Sequence, residues 1–260
     1  MSSKLFDLSG KVALITGGNS GIGLGYARGI AKQGGDVCVW GRSDEKLQAA
    51  LQELQQFGTR THGMVVDVAD ENAVTTSFAN VLQEFGRVDA CFANAGVGGA
   101  AGPFHDLETE KWKRLLSVNL DGLMYTLRAA AKHMKERAEA GDPGGRLVGT
   151  SSLGAILGMA KSQAYTGSKG AVISIMQALA IEYARYKVTA NSILPGHIDT
   201  PMTETGYQNE KFVKAIMPRI PARRWGTAED FEGIAAYLTS EASQYHTGDK
   251  FVIDGGFFMF

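Results

Sequence analysis

The sequence predicts an α/β fold, a doubly wound parallel sheet of about seven strands with helices on both faces. Three observations carry this. Short continuous apolar runs recur along the chain. Amphipathic segments of helical period separate them. A glycine-rich turn joins the first apolar run to the first helix. A strand covered on both faces needs a continuous apolar run, whereas a half-solvated strand alternates.

Lys11 to Thr16 reads as the first buried strand and Gly21 to Gln33 as the helix after it. Val37 to Trp40 is the second strand. Asp44 to Phe57 is a helix with Leu47, Leu51 and Leu54 on one face. Met64 to Val66, Asp70 to Phe85 and Val88 to Ala93 read as strand, helix and strand. A Gly- and Ala-rich loop follows from Gly96 to Phe104. Glu108 to Ala138 reads as one long helix kinked near Gly122, with Glu108 and Glu110 complementing its dipole. Arg146 to Thr150 is the fifth strand, Tyr165 to Tyr186 a long helix and Thr189 to Leu194 the sixth strand. Thr203 to Met217 looks like a helical insertion, Thr227 to Leu238 a further helix and Phe251 to Ile253 the last strand. The even spacing, without linker or repeat, reads as a single domain over 1–260.

Composition narrows the function. A formal charge of −1 over 260 residues argues against a nucleic-acid binder. No apolar stretch is long enough for a membrane span, and Met1 to Gly10 lacks the apolar core of a secretory signal. A cytoplasmic protein is expected. Cys38 and Cys91 are too few for a disulfide framework or a zinc site and read as small buried hydrophobes. His62, His105, His133 and His246 show no metal spacing.

The first chemical motif is Thr16-Gly-Gly-Asn-Ser-Gly-Ile-Gly23, following a strand and opening a helix. Gly17 makes the sharp turn. Gly21 lets backbone approach a pyrophosphate, and Gly23 lets the helix pack close to the sheet. Gly17, Asn19, Ser20, Gly21, Ile22 and Gly23 are therefore candidate phosphate contacts at a helix N-terminus. The matching architecture is Rossmann-like, with strand order 3-2-1-4-5-6-7. The second strand ends at Trp40-Gly41-Arg42-Ser43 with no acid for an adenosine ribose. Gly41 leaves room, and Arg42, beside Ser43, can pair with a 2′-phosphate. This favours NADP(H), with NAD(H) possible; a solvated surface Arg42 is the alternative.

Tyr165 and Lys169 stand four apart at a helix start and share a face. A nearby ammonium favours phenolate and lowers the phenol pKa. Alone, the pair is a common coincidence. Here the chain resembles the short-chain dehydrogenase/reductase family along nearly its whole length. The resemblance is carried by Thr16 to Gly23, Asp67-Val68, Ala93-Asn-Ala-Gly96, Asn119 in Ser-Val-Asn-Leu-Asp-Gly122, Ser152 thirteen residues before Tyr165, Pro195-Gly-His-Ile-Asp-Thr200 and Asp254-Gly-Gly256. It departs at Ala93, where the family has Asn, which puts local hydrogen bonds beside the glycine turn in doubt.

The resemblance implies a nicotinamide-dependent oxidoreductase acting on a ketone or secondary alcohol. Ser152 would hold the substrate oxygen, and Tyr165 would exchange its proton. Lys169 would tune Tyr165 and hold the nicotinamide ribose. Asn119 would free a helix carbonyl for a relay water. Asp67 and Val68 would meet the adenine; Asn94, Ala95 and Gly96 the adenosine ribose and phosphates; Pro195, Gly196, Ile198 and Thr200 the nicotinamide. A cofactor-binding regulator without turnover is the competing function, and its mark, loss of Tyr165 or Lys169, is absent from the sequence.

Leu153 to Ala164 and Thr203 to Pro221 are expected on the substrate side, the latter as a lid at about 201–221. Their apolar residues (Leu153, Ala155, Ile156, Leu157, Met159, Tyr207, Phe212, Ile216, Met217) suit a hydrophobic substrate or are ordinary core. His197 faces substrate or solvent. The apolar tail Gly255 to Phe260 needs cover. The resemblance implies a homotetramer with that tail at an interface; a tail folded on its own subunit is the alternative.

Overall fold

The computed structural model describes residues 4–99 and 101–259. Met1 to Ser3, Ala100 in the Gly/Ala loop and Phe260 at the tail's end lie outside the described residues.

Seven parallel strands form one sheet in the order β3-β2-β1-β4-β5-β6-β7. They are β1 (Val12–Thr16), β2 (Asp36–Gly41), β3 (Thr61–Val65), β4 (Ala90–Ala93), β5 (Gly145–Thr150), β6 (Val188–Pro195) and β7 (Lys250–Ile253). The helices between them are α1 (Gly21–Lys32), α2 (Asp44–Leu54), α3 (Glu71–Phe85), α4 (Thr109–Leu116), α5 (Gly122–Glu139), α6 (Gly154–Leu157), α7 (Gln163–Tyr183), α8 (Glu204–Tyr207), α9 (Glu210–Ile216) and α10 (Glu232–Thr239).

Successive strand side chains point to opposite faces, so each strand feeds two cores. Val12 and Leu14 of β1 pack with Cys38, Cys91 and Leu147 against α3, α5 and α7. Ala13 and Ile15 pack with Val39, Phe92, Val148 and Ile193 against α1 and α10. Both cysteines are free and buried, and burial pushes each thiol up to about 12.

The third strand runs over Thr61–Val65, not Met64 to Val66. It is an edge strand paired only to β2, from Val37↔Thr61 to Gly41↔Val65. An edge strand needs no continuous apolar run, and Val65 is 58% exposed while Val66 is buried just beyond the strand end. The long helix expected from Glu108 to Ala138 is broken by a π-turn at Ser117–Asp121. Just after it, a Cβ on Gly122 would lie 2.7 Å from Val68 Cγ2 and 2.9 Å from the Val68 carbonyl. That glycine lets α5 sit against the end of β3. The helix expected from Thr227 begins as a 3-10 turn, Ala228–Phe231, with a capping box between Thr227 and Asp230.

The apolar tail folds onto its own subunit at Phe257. Asp254 accepts the Gly256 and Phe258 N–H groups at 2.8 and 2.7 Å. This turn drives Phe257 into a small core with Leu153, Ile220 and Trp225. Phe258 and Met259 remain exposed, the latter at 83%.

Candidate active site

The carboxyl ends of the strands open into one cleft of about 650 Å³, where a parallel sheet leaves its loops free to bind ligands. One wall is the turn between β1 and α1. Thr16 Oγ1 accepts the N–H groups of Asn94 and Ala95, each at 3.0 Å. Asn94 Nδ2 donates to the Thr16 carbonyl at 3.0 Å and the Gly17 carbonyl at 3.4 Å. These bonds tie the turn to the loop after β4. Ala93 is buried in the core, and Thr16 and Asn94 supply the side-chain bonds, so the Ala93 departure leaves them standing.

Gly17 adopts φ +64°, the left-handed turn that glycine makes without strain. A Cβ on Gly23 would overlap the Gly17 carbonyl oxygen and lie 2.6 Å from Asn94 Nδ2. The helix that follows carries no cap: Ser20 makes no side-chain cap bond, and the first turn holds no acid. By contrast Ser43 caps α2 and Asp70 caps α3. The α1 N-terminus thus offers unpaired N–H groups and its positive dipole end to the cleft. A pyrophosphate fits that donor set.

The end of β2 differs in detail from the sequence expectation. The room at Gly41 is taken by Asn19, whose side-chain amide a Cβ there would overlap. Asn19 Nδ2 donates to the Ser43 carbonyl at 3.5 Å. The Ser43 hydroxyl accepts the Lys46 N–H at 3.4 Å as a helix cap. Arg42 lines the cleft, is exposed and has no partner among the described residues. Lys46 lines the same end and was missed from sequence; its place one helical turn beyond Arg42 was the available signal.

At the other end stand Ser152, Tyr165 and Lys169. Ser151 Oγ donates to the Lys169 carbonyl at 2.7 Å, pinning α7 onto the end of β5. Lys169 Nζ donates to the Thr150 carbonyl at 2.8 Å and lies 5.8 Å from the Tyr165 ring centroid. Ser152 Oγ accepts the Gly154 N–H at 3.1 Å. Burial raises the Tyr165 phenol pKa, and contact with Ser152 acts in the opposite direction. Desolvation therefore outweighs the ammonium effect anticipated from sequence. Burial pushes Lys169 down to about 8.

Asn119 is buried and outside the cleft lining. Its Oδ1 accepts the Val97 N–H at 2.8 Å, and its Nδ2 donates to the Val97 carbonyl at 3.0 Å. It sits inside the π-turn at Ser117–Asp121. Of the sequence-selected cofactor residues, Gly17, Asn19, Ser20, Gly21, Ile22, Arg42, Ser43, Asp67, Val68, Asn94, Ala95, Gly96, Tyr165, Lys169, Pro195, Gly196, Ile198 and Thr200 line the cleft. Gly23 packs behind it. Val97, Gly98, Gly99, Val118, Met202 and Thr203 line it too and were not singled out.

His197 faces neither the cleft nor open solvent. It is half-buried, with ring centroids of Phe257 at 4.8 Å, Trp225 at 5.3 Å and Phe212 at 6.0 Å. Burial and then the Arg219 charge lower its pKa. Tyr207 and Phe212 pack edge-on against Trp225, and Leu153 is core, so these sequence-selected apolar residues belong to the cluster around Trp225 and Phe257.

Lys169 makes stability depend on pH. Its folded pKa, about 8, lies below the ordinary lysine value of 10.5, so below pH 8 the folded chain holds a desolvated charge that the unfolded chain holds in water. Between about pH 8 and 10.5 the folded chain loses that proton first, and the penalty disappears. Lys169→Met should therefore be more stable than wild type at pH 7, by about 3 kcal/mol at most. The gap should close by pH 10.5. Denaturant midpoints of both proteins across this range check it; a gap that widens with pH contradicts it.

A family model described as enoyl-(acyl carrier protein) reductase matches residues 17–258. Gluconate 5-dehydrogenase of Gluconobacter oxydans is 34% identical over 252 residues, covering 97% of this chain and 96% of the relative. L-rhamnose 1-dehydrogenase (NAD(P)+) of a Sphingomonas strain is 33% identical over 256 residues, 97% of this chain and 98% of the relative. A short-chain type dehydrogenase/reductase from Mycobacterium marinum superposes with a TM-score of 0.91 at 33% identity, over 98% of both chains. The NADPH-dependent 3-quinuclidinone reductase of Rhodotorula rubra superposes with 0.90 at 32% identity, over 99% of this chain and 94% of that one. With its seven-stranded sheet and nucleotide-fitting cleft, the chain belongs to the short-chain dehydrogenase/reductase family and is an NAD(P)-dependent oxidoreductase of that type.

Proposed function

We propose that the chain interconverts a neutral, largely apolar ketone and its secondary alcohol with NADP(H), using Tyr165 as acid and base. The observation that carries this is one cleft with an uncapped helix N-terminus and Arg42 at one end and Ser152, Tyr165 and Lys169 at the other. When bound, the dinucleotide supplies or accepts hydride at its nicotinamide. The Ser152 hydroxyl accepts from Gly154, which leaves its own hydrogen to donate to the substrate oxygen. Tyr165 gives that oxygen a proton in reduction and takes it in oxidation. Lys169 uses one N–H on Thr150 and keeps two for the ribose hydroxyls and the Tyr165 oxygen. Asn119 anchors the Val97 loop, and a helix carbonyl beside it holds the water that passes the proton on. Asp67 and Val68 border the adenine. Pro195, Gly196, Ile198 and Thr200 border the nicotinamide.

Two features support the choice of substrate and cofactor. Among the described lining residues the cations are Arg42, Lys46 and Lys169, so beside Val97, Gly98, Gly99 and Met202 no cation is left to pair a substrate carboxylate. Arg42 and Lys46 flank the adenosine end and suit a 2′-phosphate. Nicotinamide absorbance, followed with neutral cyclic ketones and with keto sugar acids, tests the substrate. Turnover of the acids alone contradicts the neutral reading. Arg42→Ala is expected to lower kcat/KM with NADPH by about 10- to 100-fold, through loss of a charge-assisted bond, and to leave NADH nearly unchanged. Equal loss with both cofactors contradicts the assignment.

The same proposal places one catalytic unit over the chain with a lid at about 201–221, supported by Val213, Ile216 and Met217 packing on the Phe257 cluster. A homotetramer is supported by the exposed Phe258 and Met259 and is read by light scattering. No helix of the described residues is long and apolar enough to cross a membrane. The two free, buried cysteines support a cytoplasmic, reducing location.

A further inference from the structure

A second cavity, of about 260 Å³, lies at the edge of the sheet opposite the cleft. It is lined where β1, β4, β5 and β6 begin, by Lys11, Asp89, Gly145 with Arg146, and Lys187. Its charges do not balance. The lining cations are Lys11, Arg87, Arg137, Arg146 and Lys187, against the carboxylates Asp89, Asp142 and Glu241. Arg87 and Arg137 are engaged by Asp89 and Asp142, and Lys11 pairs with Glu241 at 3.1 Å. Arg146 and Lys187 are the remainder.

Arg146 is 6% exposed. Two of its nitrogens donate to neutral carbonyls, those of Gly145 and Ser240, each at 3.0 Å. Its nearest carboxylate, on Glu241, stands 3.7 Å away. Its Nε–H has no acceptor among the described residues. The hydroxyl of Thr239, another lining residue only 2% exposed, is also unpaired among them. Lys187 has no side-chain partner among the described residues and holds φ +58°. This left-handed corner, just before Val188, faces the start of β5 through the Gly145↔Val188 register. A buried cation whose one carboxylate contact is long and shared with Lys11, and unpaired donors among the lining residues, are costly unless an acceptor-rich group arrives. Burial also lowers the Arg146 pKa, outweighing the raising effect of the Glu241 and Asp89 charges.

We propose that this cavity binds a tetrahedral oxyanion of the phosphate class, free or carried on a small metabolite, with Arg146, Lys187 and Thr239 as its donors. The anion would complete the charge balance and join the starts of β5 and β6 to the end of α10. Being at the opposite sheet edge, it does not compete with the dinucleotide.

Thermal unfolding of the full chain tests this, with saturating NADP+ present so that the cleft's own anion-binding groups are occupied. Inorganic phosphate is compared with chloride at matched ionic strength. Wild type is expected to gain about 2 °C or more in phosphate over chloride. Lys187→Asn keeps a residue that tolerates the left-handed corner and removes the charge. Thr239→Val keeps shape and breaks no internal bond. Both variants should lose most of the phosphate-specific gain while keeping wild-type kcat/KM without phosphate. A larger gain with glucose 6-phosphate identifies a phosphorylated metabolite as the occupant, and a smaller one identifies free phosphate. No phosphate-specific gain in wild type, or an equal gain in Lys187→Asn, overturns the proposal.

Discussion

Tyr165→Phe should lower kcat by roughly 10²- to 10⁴-fold, the usual contribution of a positioned acid/base, and leave KM for ketone and dinucleotide within a few fold. The Tyr165 ring packs beside Lys169, and its oxygen meets Ser152. Phenylalanine keeps the ring and removes only the hydroxyl. Folding should be largely unaffected, because Tyr165 lines the cleft and the ring keeps its place beside Lys169. Steady-state nicotinamide absorbance and a thermal melt of both proteins check the two halves separately. Retention of full kcat would sink the acid/base role. A cofactor-binding regulator predicts no turnover in wild type either, so the same assay separates the two functions.

Gly23→Ala is expected to damage cofactor binding and stability together. The new methyl would overlap the Gly17 carbonyl and approach Asn94 Nδ2 at 2.6 Å. Gly17 belongs to the turn that faces the pyrophosphate and Asn94 ties that turn to the loop after β4, so relief of the clash must move the cleft wall. Overpacking of this kind costs about 1–3 kcal/mol, or a Tm fall of roughly 2–12 °C for a chain of this size. Dinucleotide Kd should rise at least about tenfold, since a 1.4 kcal/mol loss of binding suffices for that. Gly29→Ala is the comparison. Its methyl would overlap the Glu232 carbonyl, where α1 meets α10, away from the cleft. It should lower Tm by a similar amount while folded protein keeps its Kd, measured by nucleotide titration. Equal effects of both variants on Kd would show that Gly23 acts through general destabilisation.

The parallel sheet, its strand sequence and most of the cleft lining were legible because they depend on local signals. Apolar runs, glycine turns and fixed spacings encode β1, β2, β4, β5 and β6 and the starts of α1 and α7 directly. Edge strand β3 was misplaced because a strand with one neighbour is released from the apolar requirement. A kink in the α4–α5 helix was expected near Gly122, and the π-turn lies just before it, at Ser117–Asp121, where Asn119 exchanges bonds with Val97 from another part of the chain. No local pattern encodes that exchange.

Taken alone, the sequence determined the fold class and the glycine turn, since each rests on residue type and spacing within one or two adjoining elements; Ser152 joined Tyr165 and Lys169 as candidates only through the family resemblance. Tertiary structure alone decided how burial sets the ionisation of Tyr165 and Lys169, that Asn19 fills the space at Gly41 and that His197 belongs to the aromatic cluster of Trp225 and Phe257. It also decided that Arg146 and Thr239 line one cavity, with the Arg146 Nε–H and the Thr239 hydroxyl unpaired among the described residues. Desolvation and pairing depend on what segments distant in sequence bring within a few ångströms, and spacing along the chain carries no record of that distance.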